Sequence, residues 1–94
     1  MNRKELMAAV AASCGLTHQQ TAMIFEAIEA EAAAGLKRDG HLLITGFGTF
    51  ERREHAPRAL YDPNSGTTRL VPGNTTVGFK PALRLKKAVE RDET

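Results

Sequence analysis

Ninety-four residues with a formal net charge of +2 amount to one domain, and a chain of this size buries only a modest core, so a partner subunit is a natural way to gain more. There is no tryptophan, one tyrosine (Tyr61) and four phenylalanines (Phe25, Phe47, Phe50, Phe79). No apolar run is long enough to cross a bilayer, Met1 to Lys4 lead into a capped helix rather than a signal peptide, and the single cysteine, Cys14, cannot close an internal disulfide; a cytoplasmic protein is expected.

Asn2 is a good N-cap, with Glu5 placed to complete a capping box. Leu6, Met7, Val10 and Cys14 follow at helical spacing, with Cys14 expected as a small buried residue, and Gly15 suits a left-handed cap. Thr17 opens a second helix with Gln20 as its box partner. Its apolar stripe runs through Ile24, Phe25, Ile28, Ala32 and Leu36, a period of about 3.6. Lys37 and Arg38 fall in its last turn, where cations favour the helix dipole, and Asp39-Gly40 ends it.

The period then changes. His41 to Thr45 reads as a strand, Gly46-Phe47-Gly48 as a tight turn, and Thr49 onward as a second strand that becomes strongly polar through Glu51, Arg52, Arg53, Glu54 and His55. The two acids flanking Arg52 and Arg53 read as salt-bridged surface charges. Pro57 limits pairing, and Asp62-Pro63-Asn64-Ser65-Gly66 is a dense turn signal. Thr67 to Val71 returns as a strand, Pro72-Gly73-Asn74 interrupts it and Thr75 to Phe79 completes it. Pro81 suits the first turn of a last helix reaching about Glu90, with fraying expected after Arg91.

The fold class is therefore α+β. It has two N-terminal helices, a three-stranded antiparallel sheet with a long protruding β-arm (about residues 51–75) and a short C-terminal helix, all in one domain spanning 1–94. Glu51 to Val71 offers few apolar residues to bury, and a free hairpin of this kind is marginal alone. Its spaced basic side chains point to a polyanion that orders it. Charge is also segregated. Gly15 to Ala34 holds three acids and no Lys or Arg, whereas Lys80 to Arg91 holds five bases against one acid.

Gly46-Phe47-Gly48-Thr49-Phe50, then Arg58, Pro63 and Gly66, then Phe79-Lys80-Pro81 and Leu85-Lys86-Lys87-Ala88-Val89 resemble the HU/IHF family of bacterial DNA-bending proteins, and the likeness spans essentially the whole chain. The resemblance implies an intertwined homodimer with two arms in the DNA minor groove, each tipped by a proline that wedges between base steps. It implies Pro63 as the intercalating wedge, with Arg53, His55, Arg58, Tyr61, Asn64 and Arg69 as arm contacts. Arg3, Lys80, Arg84, Lys86 and Lys87 become the body contacts, and Phe25, Ile28, Leu36, Ile44, Phe47, Phe50 and Phe79 the dimer core. The implied partner is double-stranded DNA bound mostly without sequence preference, in the nucleoid, with no cofactor, metal, membrane or small-molecule substrate.

The arm tip departs from the family's usual Gly-Arg-Asn-Pro, reading Leu60-Tyr61-Asp62-Pro63. His55 stands where arginine is frequent, and Leu83 where a lysine is. From Glu51 to Val71 four bases face three acids, a net of +1. A second reading is therefore a dimer of the same fold with a weakened arm, acting as a protein-interaction or scaffolding module or binding DNA through its body with little bending. Leu60 and Tyr61 either pack on each other or contact a base or sugar. Catalysis finds no support: His18, His41 and His55 are far apart, none is at metal-ligand spacing with Cys14 or an acid, and the Gly46–Gly48 turn does not precede a helix.

Overall fold

A computed structural model describes residues 1–91, so the expected fraying after Arg91 lies outside the described residues. The order is α1 (Arg3–Cys14), α2 (His18–Asp39), β1 (His41–Ile44), β2 (Gly48–His55), β3 (Arg58–Asp62), β4 (Thr67–Val71), β5 (Asn74–Pro81) and α3 (Leu83–Ala88). The chain divides into two compact units, residues 1–35 and 36–94.

In the first unit the helix ends follow the chemistry of their caps. Asn2 Oδ1 accepts from the Glu5 N–H at 2.9 Å, while the Glu5 carboxylate lies 3.8 Å from the Met1 ammonium. Gly15 closes α1 in the left-handed region with φ 66°, and its N–H donates to the Ala11 carbonyl. Thr17 and Gln20 complete a reciprocal capping box, at 2.9 and 3.1 Å. Ala11 and Thr21 are buried, and the Thr21 hydroxyl donates to the Thr17 carbonyl, so no orphan polar group results. Cys14 is exposed, contrary to expectation: it is the last residue of α1, and nothing among the described residues covers it. Met23, Ile24 and Ile28 are also largely exposed.

In the second unit, β1-β2-β5 form a three-stranded antiparallel sheet, with Leu42, Phe50 and Phe79 aligned across it. The Phe79 ring packs in a tilted arrangement on Phe50, with centroids 4.7 Å apart, and on Phe47, at 5.8 Å. Gly48 lies beneath that ring: a Cβ there would stand 2.6 Å from two Phe79 carbons and 2.7 Å from the Lys80 carbonyl, so only glycine fits. Pro81 corrects the expected helix start. It is the last residue of β5, opposite Gly48, where a missing N–H ends a ladder without cost. Ala82, extended, is the N-cap of α3, and its N–H donates to the Phe47 carbonyl at 3.0 Å.

Candidate nucleic-acid interface

Strand alternation sorts the sheet into two faces. One carries Leu42, Ile44, Phe50, Val77 and Phe79, and also Arg52 and Glu54. The other is mostly polar, with Thr49, Glu51, Arg53 and His55 of β2 beside Thr76 and Lys80 of β5, and Leu43 of β1 exposed at its edge. There Glu51 takes Lys80 at 3.3 Å and Arg53 at 3.8 Å, and His55 Nε2 lies 3.1 Å from Thr76 Oγ1. On the first face Arg52 turns inward. Its Nη1 donates to the Lys37 carbonyl at 2.6 Å and more distantly to that of Leu36, and its Nε meets Glu54 at 3.2 Å.

The β2–β5 ladder ends at His55 opposite Asn74. Residues 56–57 and 72–73 then interrupt pairing on both strands, with Pro57 on one and Pro72 on the other. Gly73 passes so close to its neighbours that a Cβ would stand 2.7 Å from the His55 carbonyl. Pairing resumes as the β3–β4 hairpin, from Arg58 opposite Val71 to Asp62 opposite Thr67, with every residue from Ala59 to Leu70 exposed. The expected arm is thus two ladders separated by a proline-marked break.

The hairpin also has two faces. Arg58, Leu60 and Asp62 share one with Arg69 and Thr67; Ala59 and Tyr61 share the other with Leu70 and Thr68. Leu60 and Tyr61 therefore point to opposite sides and do not pack on each other. Tyr61 (66%) and Leu70 (76%) instead expose an uncharged surface behind the cationic one. Pro63 and Asn64 occupy the tip. There the Gly66 N–H donates to the Asp62 carbonyl at 2.8 Å and the Asn64 N–H to the Asp62 carboxylate at 2.9 Å. The Asn64 N–H, followed by the Ser65 hydroxyl, holds the Asp62 carboxyl below the ordinary carboxylate range, so the tip carries a negative charge at neutral pH.

The candidate cations differ in availability. Arg3 donates to Glu29 at 2.5 Å and lies 5.8 Å over the Phe25 ring. That bond lowers the Glu29 pKa and raises that of Arg3. Arg84 rests against Gly46, where an added Cβ would meet its Nη1 at 2.9 Å. Arg58, Arg69, Lys86 and Lys87 have no ion pair among the described residues, Lys86 and Lys87 standing in the last turn of α3. Arg53, His55 and Lys80 therefore gather on one sheet face, and Arg58 and Arg69 on one hairpin face beneath Pro63. Arg3 belongs to the other unit.

The family model described as bacterial DNA-binding protein matches residues 1–90. The chain belongs to this family, that of HU. It is 38% identical over 90 residues to the SPbeta prophage-derived DNA-binding protein HU 2 of Bacillus subtilis, covering 96% of this chain and 98% of that one. It is 34% identical over 89 residues to the HU-alpha of Pseudomonas aeruginosa, covering 95% and 99%. Its fold is similar to that of Anabaena HU in a cocrystal structure with DNA, with a TM-score of 0.79 and 25% identity over 95% of this chain and 97% of that one. An HU point mutant from Thermotoga maritima gives a TM-score of 0.67 at 27% identity, covering 96% and 100%.

Within this HU-family chain, two features escaped sequence reasoning. Arg52, counted there as one of the arm's bases, is a helix-end cap. Leu70 joins Tyr61 in an exposed pair, a pairing legible only once the four-residue turn from Pro63 to Gly66 fixes the register.

Proposed function

We propose that this HU-family chain acts as a homodimer that binds double-stranded DNA with little sequence preference and bends it. Two β3–β4 hairpins would lie in the minor groove, with Pro63 wedged at a base step. The observation that carries the reading is the hairpin itself: a two-stranded ribbon exposed from Arg58 to Leu70, with Arg58 and Arg69 on one face and a proline at its tip. Such a ribbon has too little apolar burial to be self-supporting, and a polyanion supplies what it lacks. Arginines that meet phosphates carry no sequence information, which favours binding without strong sequence preference.

Dimerisation rests on exposed apolar surface. The chain exposes 8016 Å², against about 5,300 Å² for a self-sufficient monomer of its mass. Part of the excess belongs to the hairpin. The rest includes Phe47 at 45% and Phe79 at 40% exposed, with Ile24 and Ile28, side chains that an obligate subunit interface would cover. We assign Phe25, Ile28, Leu36, Ile44, Phe47, Phe50 and Phe79 to that interface, and Arg53, Arg58, Arg69, Lys80, Lys86 and Lys87 to phosphate contact. The role is architectural rather than catalytic, exercised on the bacterial chromosome in the cytoplasm. The test is sedimentation equilibrium with an anisotropy titration of labelled duplex at about 50 mM salt. A dimer that saturates the duplex is expected; a monomer, or no binding at that salt, would sink the proposal.

A further inference from the structure

The residues at the root of the arm form a connected chain of polar contacts. The last carbonyls of a helix have no donor within it. At the end of α2 the Gly40 N–H donates to the Leu36 carbonyl at 3.0 Å, and Arg52 Nη1 donates to that of Lys37 at 2.6 Å, with that of Leu36 more distant at 3.4 Å. The Arg52 backbone N–H also donates to the Gly40 carbonyl at 2.9 Å, so both its main chain and its side chain hold the α2–β1 junction. Arg52 Nε reaches Glu54 Oε1 at 3.2 Å, and Glu54 Oε2 accepts from the Thr75 hydroxyl of β5 at 2.8 Å. On the opposite sheet face, His55 and Thr76 are joined at 3.1 Å. One residue further on, pairing stops on both strands at Pro57 and at Pro72-Gly73.

We infer that Arg52 is a positioning residue that clamps the root of the arm to the end of α2 through Glu54 and Thr75, so that the hairpin pivots only at the proline-marked break. The guanidinium suits this task. Its planar fork aims separate N–H groups at helix carbonyls and at a carboxylate, and it carries a cation to the negative end of a helix. A root held in this way enters the DNA complex with its direction already set. A loose root must be ordered on binding, which weakens the bend without removing any groove contact of the hairpin. The inference rests on the DNA-bending reading above.

The experiment measures energy transfer between dyes at the two ends of a duplex, at saturating dimer and low salt. The wild-type chain raises the transfer. Arg52→Met is expected to fall to about half of that rise or less, as a site loses geometry when its supporting contacts are removed. Arg52→Lys, which can still donate to a carbonyl, restores part of it. Glu54→Gln, which keeps the helix-end bonds but weakens the link to Arg52, gives an intermediate value and serves if Arg52→Met does not fold. Unchanged transfer in a folded Arg52→Met dimer with a lowered Tm overturns the inference and leaves Arg52 a stability residue. No rise for the wild-type chain overturns the bending reading instead.

Discussion

Replacing Arg58 with methionine separates a phosphate-binding side chain from a merely exposed one. Arg58 heads the cationic face of the hairpin, is exposed, and has no ion pair among the described residues, so its removal leaves the fold nearly untouched. A dimer loses two copies. Each phosphate contact contributes about 0.9 to the slope of log affinity against log salt, so the slope should become shallower by about 1.8. Extrapolated from 1 M, that change is a roughly 60-fold loss of affinity at 0.1 M salt. Arg3→Met makes the contrast, because the Arg3 guanidinium is already engaged by Glu29 at 2.5 Å, and its loss should flatten the slope by less than half as much. The assay is anisotropy of a labelled duplex over a salt series, with Tm measured alongside. An unchanged slope for Arg58→Met, or an equal change for Arg3→Met, would refute the reasoning.

Asp62→Asn keeps an acceptor for the Asn64 N–H and removes a charge that phosphate repels, so duplex binding should tighten roughly 3- to 10-fold in the same titration, with less gain at high salt. Gly48→Ala drives a methyl into the Phe79 ring and the Lys80 carbonyl; overpacking of this kind costs about 1–3 kcal/mol per chain, read as a drop in Tm. Glu29 has its pKa lowered chiefly by the bond from Arg3. Its contribution to stability is therefore present above the usual carboxylate range and lost as pH falls through the lowered value. Glu29→Gln should then show a shallower loss of Tm on acidification than the wild-type chain. Lys86→Ala with Lys87→Ala should weaken binding less than Arg58→Met if the arms carry the grip; the reverse order would move the grip to the body.

Where local chemistry decides the structure, the sequence was a sufficient guide. Asn2, Thr17 with Gln20, and Gly15 cap their helices as their side chains or lack of one require. The alternation after Gly48 already separates Phe50 from Glu51, hence the two sheet faces. The misreadings occur where a residue's partner is distant in the chain. Pro81 suits a helix start by its ring but is held in β5 by the strand opposite, at Gly48. Arg52 looks like one of four arm cations, yet its partners are carbonyls 15 and 16 residues earlier. Cys14 falls on the apolar spacing of α1, but spacing does not say whether another surface covers the end of a helix. Leu60 and Tyr61 are neighbours in sequence, but adjacent strand residues point to opposite faces and do not pack on each other.

Bending of DNA by the arms through the proline at their tip is open to direct measurement. Energy transfer across an end-labelled duplex at saturation should rise on binding of the wild-type dimer and fall back substantially for Pro63→Ala, with binding itself retained. A duplex that stays straight under the wild-type chain, or a bend that Pro63→Ala leaves unchanged, would contradict it.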